Sequence, residues 1–230
     1  MSDPAEFGVA FAAYAGPVGA EAVDRGKSHP AGPVAPEAPT ITPSGPRERI
    51  LHTAADLFSR KGIRAVGVDT IVTSARVAKA SFYHHYQSKD DLVVAWLRSD
   101  DARWLDRIAS QTEASTPDPH ARLLAFFDAI ETLAHQPGYR GCAYLNTAAE
   151  LRDEPGPARD AITDMIHEIR TYLEDLARAA DLRAPEQLSQ TLQLLLAGAF
   201  ATTRAVGNGS PATVARHAAA TLIDAARQAR

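Results

Sequence analysis

Residues 47–92 read RERILHTAADLFSRKGIRAVGVDTIVTSARVAKASFYHHYQSKDDL, and this stretch decides the fold. Ile50, Ala54, Leu57 and Phe58 recur at i, i+4, i+7 and i+8, the spacing of one helix face. Gly62 ends that helix, because glycine accepts the backbone conformations that close one. Val68–Ala75 predicts a second, short helix and Lys79–Tyr86 a third, with three residues between them. A corner that short makes a helix-turn-helix, a motif whose second helix enters the major groove of DNA. Ser88-Lys-Asp-Asp91 then opens a fourth helix as a capping box, with the Ser88 hydroxyl accepting from the Asp91 amide.

The third helix has two faces. Phe82 and Tyr86, four residues apart, point back at Ile50, Phe58 and Ile71. Lys79, Ser81, Tyr83 and His84 face out near its N-terminal half, where base edges are reached. Tyr83 and Lys89 are placed for phosphates, as is the positive start of the fourth helix. Arg47, Arg49, Thr70 and Arg76 complete the expected DNA-contacting set. Taken singly, each reads as an exposed polar side chain. Their grouping around one short helix after a tight turn points to nucleic acid.

The net charge of −4 runs against that partner, but its distribution does not. Residues 46–90 hold eight basic and four acidic side chains, a balance of +4. The remaining sixteen basic and twenty-four acidic residues give −8. A basic module on an acidic body suits an oriented approach to a phosphate backbone. Cys142 is the single cysteine, so no intrachain disulfide forms and a reducing cytoplasm is expected. No run approaches the roughly 18 apolar residues of a membrane span. Asp3 and Glu6 stand where a secretory signal carries basic residues, so no export is expected.

Three regions are expected. Residues 1–45 read as a disordered tail, since residues 1–46 hold eight of the fifteen prolines and six of the fourteen glycines. Residues 46–91 form the helix-turn-helix module and 92–230 a helical bundle for ligand binding and dimerisation. The fourth helix is expected to run unbroken from Leu92 towards Ile108 or beyond. Asp118 caps and Pro119 opens the next helix, which Gln136-Pro-Gly138 ends. A short helix covers Cys142–Leu151. Ile162, Met165, Ile166, Ile169, Leu173 and Leu176 mark a long amphipathic helix, and Pro185 opens another. Ser210 caps a final helix that starts with Pro211 and reaches about Gln228. Period-two alternation never persists, so the fold class is all-α.

Arg49-Ile-Leu51, Ala54-Ala55, Leu57-Phe58, Gly62, Ile71, Ala75, Val77, Phe82-Tyr83, His85-Tyr86 and Ser88-Lys89 resemble the N-terminal pattern of the tetracycline-repressor (TetR) family. The resemblance covers about 45 residues. It implies a three-helix DNA module joined to a larger bundle that dimerises and usually holds a ligand pocket. Arg140-Gly-Cys-Ala-Tyr-Leu-Asn-Thr-Ala-Ala-Glu-Leu151 resembles a segment of one branch of that family. There are departures. The family commonly starts its second helix with Thr-Ser, here Val66 and Gly67. Its turn usually holds glycine, here Arg76, at a conformational cost of about 1 kcal/mol. The cap of the recognition helix is often Ser or Thr and here is Ala78, a loss of about 1 kcal/mol.

In the body, the small residues of the last two helices suit a four-helix interface between two copies. Double-stranded DNA, a second copy of the chain and a small apolar or aromatic effector are the expected partners, with no membrane and no cofactor. Trp96, Phe126, Phe127, Tyr144, Asn146 and Met165 are the candidate pocket residues. Trp104, Tyr139 and His167 lie in the same region. The expected activity is that of a ligand-responsive repressor on a palindromic operator. The alternative is a helical adaptor or sensor of the same fold with weak or lost DNA binding. A di-iron bundle enzyme needs Glu-x-x-His twice; the nearest match, Asp164-x-x-His167, occurs once, so no enzyme is expected. A redox role for Cys142 is weighed against plain burial, the commoner outcome.

Overall fold

A computed structural model describes residues 45–99, 103–151 and 155–227. Among them are ten helices and no strand; Leu182 and Arg227 form one isolated bridge. The expected tail, Gly45 apart, lies outside the described residues, as does Gln228.

The first helix, α1 (Pro46–Lys61), starts with proline after an extended Gly45. Glu48 lies in its first turn and Arg60 and Lys61 in its last, each complementing the helix dipole. Its Ile50, Ala54, Leu57 and Phe58 are all buried. Gly62 closes it at φ +81°, its amide bonded to Phe58 O. Helices α2 (Val68–Ser74) and α3 (Lys79–His85) pack on α1 and on each other. Phe82 is fully buried at the centre of this module, with Tyr86 beside it at 6.0 Å between ring centroids. Removing a Phe side chain from water contributes about 2–3 kcal/mol, a large share of what holds three short helices together.

Helix α4 (Lys89–Leu97) is capped by Ser88, which accepts from the Asp91 amide at 3.0 Å. It packs on α1 at one side and on α8 (Pro157–Ala179) at the other. The expected long fourth helix is instead two. Backbone regularity stops after Leu97, and α5 (Trp104–Ser115) begins seven residues on. The Ser99 hydroxyl donates to Trp96 O at 2.6 Å, competing with the helical ladder. Arg103 is then pulled to Glu168 of α8 at 3.0 Å and Asp106 at 2.8 Å, which fixes where the new helix starts.

Asp118 caps α6 (Pro119–Ala134) through the His120 amide, as its sequence indicates. Helix α7 (Ala143–Glu150) follows the turn of residues 135–142. Helix α8 buries Ile162, Met165, Ile169, Leu173 and Leu176, but Ile166 stays exposed. Helices α9 (Pro185–Val206) and α10 (Ser210–Ala225) pack on each other; α9 also covers α8, and α10 covers α6. Ser210 is not the cap expected of it. Gly209 holds that position, and the Asn208 side chain accepts from the Ser210 amide at 3.0 Å instead.

Candidate nucleic-acid interface

The turn between α2 and α3 is built by backbone bonds rather than side-chain caps. Ala75 N–H bonds Ile71 O at 2.8 Å and Val77 N–H bonds Val72 O at 3.1 Å. Arg76 lies between them at φ +53°, the left-handed region its identity disfavours. Neither Gly67 nor Ala78 offers a side-chain bond to the helix it caps. The short helices are therefore held by packing: Ile71, Val72, Ala75 and Phe82 are buried.

That packing fixes which side of α3 faces out. Tyr83 is 48% exposed, its ring edge-on to Phe82 at 5.2 Å. Lys79 and His84 are exposed and Ser81 half-buried on the same short helix. Lys79 pairs with Asp69 of α2 at 2.8 Å, and this hydrogen bond raises its pKa and keeps it charged. Both partners are exposed, so the pair is weakly held and a phosphate can take the place of Asp69. Thr70 and Arg76 are exposed at the α2 side. Arg47 stacks over the Tyr86 ring at 5.8 Å, and Arg49 is half-buried one turn into α1.

Lys89 lies apart from the others. Its ammonium donates to Ile63 O at 3.0 Å and Val66 O at 3.3 Å, tying α4 to the loop between α1 and α2. The charge expected at a phosphate is spent inside the protein. The reason is steric: the loop turns back over the first turn of α4, and its carbonyls need a donor.

The candidate pocket residues separate into three places. Trp96 and Asn146 line a cavity of about 530 Å³ between α1 and α7. Tyr144 and Met165 line a distinct apolar space of about 40 Å³, too small for a ligand. Burial pushes the Tyr144 hydroxyl up to about 12, and it donates to Leu97 O. Phe126 and Phe127 are buried core, correcting their expected role: Phe126 packs on Trp104 at 6.1 Å and Tyr172 at 5.5 Å. Residues not expected at the cavity include His52, Asp56 and Ser59 of α1. Their i, i+4, i+7 spacing is a polar stripe in the sequence, but nothing there says what it faces. Cys142 is buried, which raises its thiol pKa; the Leu145 amide and then the Trp104 indole N–H beside it oppose that rise, the indole without reaching hydrogen-bond geometry. No helix is long and apolar enough to cross a membrane, and no cluster of metal-ligating side chains occurs, among the described residues.

Comparison with known proteins agrees with this geometry. Residues 50–96 match the family described as bacterial regulatory proteins, tetR family. Residues 119–219 match the tetracyclin repressor-like, C-terminal domain. The chain is 32% identical over 123 residues to the HTH-type transcriptional repressor KstR2 of Mycolicibacterium smegmatis, covering 53% of this chain and 58% of that one. It is 28% identical over 117 residues to the HTH-type transcriptional repressor NemR of Escherichia coli, covering 50% and 59%. The matched part thus spans about three fifths of the length of these curated relatives. Among solved structures, the TetR-family regulator SCO4454 of Streptomyces coelicolor superposes with a TM-score of 0.74 at 27% identity, covering 80% of this chain and 96% of that one. A tetR-type regulator (sav143) of Streptomyces avermitilis gives 0.69 at 29% identity, covering 79% and 98%. An exposed recognition helix on a buried three-helix core, two family models that together take in most of the described chain, and structural matches over about four fifths of the chain agree: the chain belongs to the tetR family of bacterial regulatory proteins.

Proposed function

We propose that the protein is a ligand-responsive transcriptional repressor that binds a palindromic operator as a homodimer. The observation that carries this reading is the outer side of α3, where Lys79, Tyr83 and His84 stand exposed while Phe82 is locked inward. Lys79, Tyr83 and His84 are assigned to the major groove, and Arg47, Thr70 and Arg76 to the flanking phosphates. Arg49 and Ser81, half-buried, contribute less, and Lys89 is assigned to holding the module. We place the division between reading head and body at residues 91 and 92. The named relatives KstR2 and NemR are described as repressors, which supports that sign of regulation. No catalytic role is assigned, and the site of action is the cytoplasm, where the chromosome is.

The dimer reading is supported by the outer side of α9 and α10. Leu194, Val206 and Val214 are 75%, 53% and 68% exposed, with Gly198, Ala201 and Ala205 exposed along α9. Contiguous exposed apolar surface marks an association site. Two helices from each copy close it across a two-fold axis, and two recognition helices then read two half-sites roughly 34 Å apart or a multiple of it. Gel shift with the DNA upstream of the protein's own gene tests the proposal, and selection from a random duplex pool is expected to return a palindrome. A folded dimer that retards no duplex at low salt refutes it and leaves the adaptor reading.

A further inference from the structure

We propose that the cavity of about 530 Å³ between α1 and α7 is the effector site, and that it takes a flat aromatic carboxylate. The inference rests on the ligand-responsive reading above and gives that response a place and a chemistry. Its volume is that of a small-molecule site. Phe58, Trp96, Trp104 and Tyr139 supply aromatic walls.

Trp104 Nε1, the Tyr139 hydroxyl and Thr147 Oγ1 are buried without any hydrogen-bond partner, and all three residues line this cavity. Trp104 is 5% and Thr147 1% exposed. Native proteins leave few such groups unpaired, and three around one space call for an occupant. The indole N–H can only donate, and both hydroxyls can donate, so the shared complement is an acceptor oxygen. The charged lining favours an anion. Of its acids, Asp56 is paired with Arg60 and Glu150 accepts from the Arg64 amide at 2.9 Å. Three arginines of the lining, Arg60, Arg107 and Arg140, stand against these two acids, so the balance is one positive charge. Because Phe58 belongs to the first helix of the DNA module, an occupant bears directly on that module.

Isothermal titration of the full chain with 2-naphthoate tests this, with 2-naphthylmethylamine as the same ring carrying a cation. One naphthoate per chain is expected, bound at least about tenfold more tightly than the amine. Thr147→Val replaces a hydroxyl by a methyl group of similar size, and Tyr139→Phe removes one. Each is expected to weaken naphthoate binding by about 3–10-fold while leaving the ligand-free melting temperature unchanged or higher. A hydroxyl with a merely structural role would lower it. No naphthoate binding, equal binding of the amine, or unaltered affinity in both variants overturns the proposal. Gel shift of the same ligand-free samples separates the two readings. Naphthoate binding without DNA binding keeps the site and sinks the repressor; DNA binding without naphthoate binding does the reverse.

Discussion

Arg76→Gly is expected to stabilise the protein and weaken its hold on DNA together, and the two effects have separate causes. Arg76 sits at φ +53°, where a residue with a Cβ carries roughly 1–2 kcal/mol of strain. Glycine removes that strain but loses more backbone freedom on folding, which returns roughly 0.5–1 kcal/mol. The net gain is about 0.5–1 kcal/mol. At roughly 2–4 °C per kcal/mol for a chain of this size, the melting temperature rises by about 1–4 °C. Nothing offsets this in the free protein. The guanidinium is exposed and makes no hydrogen bond or ion pair with the described residues, and the backbone bond from Arg76 N to Thr73 O at 3.2 Å survives the change. On DNA the same exposed guanidinium is assigned to a phosphate. Losing it from both copies of a dimer flattens the slope of log K against log salt by roughly 1.8. Calorimetry on the free protein and fluorescence anisotropy across a salt series read the two effects. A lower melting temperature refutes the strain argument; an unchanged salt slope refutes the phosphate contact.

Three further outcomes follow from particular contacts. Lys89→Met breaks the two charge-assisted bonds to Ile63 O and Val66 O and is expected to cost about 1–3 kcal/mol, read by urea denaturation, with the salt slope of DNA binding unchanged. Leu194→Glu places a charge on the apolar stripe of α9; sedimentation is expected to give monomers with an unaltered helical circular dichroism spectrum, and a persistent dimer would move the interface elsewhere. Burial raises the Cys142 and Tyr139 pKa values above their ordinary 9.0 and 10.0, so the unfolded chain loses these protons before the folded one does. Stability is then complete below pH 9.0 and falls as pH rises through 9.0 and 10.0, which urea midpoints at pH 8 and pH 10.5 are expected to show and Tyr139→Phe to lessen.

The DNA module was legible because its signals are local. The i, i+4, i+7, i+8 face of α1, the Ser88 cap and the stop at Gly62 each lie within a few residues of what they determine. The strained turn at Arg76 was legible for the same reason. The break between α4 and α5 was not. Leu92, Trp96, Trp104 and Ile108 keep a helical spacing straight through it, and Arg103 is anchored by Glu168, 65 residues away. Lys89 misleads similarly: a lysine after a helix-turn-helix reads as an outward charge, and only the folded loop supplies the carbonyls that claim it. Phe126 and Phe127 met the chemical description of pocket walls, but aromatic composition does not separate a lining from a core. The hydroxyls of Tyr139 and Thr147, buried beside the cavity without a partner, show only in the folded chain, since no sequence pattern reveals an absent partner.

The loop between α1 and α2 is where body and reading head meet, and it is held from two sides. From α7, Glu150 accepts from the Arg64 amide, and its carboxylate fills the space beside Gly62 so closely that a Cβ there would come within 2.6 Å. Gly62 is required by its φ of +81°; a Cβ there would only push the flexible end of the Glu150 side chain aside. From α4, Lys89 holds Ile63 and Val66. Thr147 and Glu150 are three residues apart on α7, one turn of one helix, and both face the cavity. A displacement of α7 therefore cannot leave the Glu150 bond unchanged unless the loop moves with it. Coupling between two sites is typically 1–3 kcal/mol, the scale of one or two charge-assisted hydrogen bonds gained or lost. The Glu150 and Lys89 contacts are of that scale, and they join the cavity wall to the helix-turn-helix without a long relay.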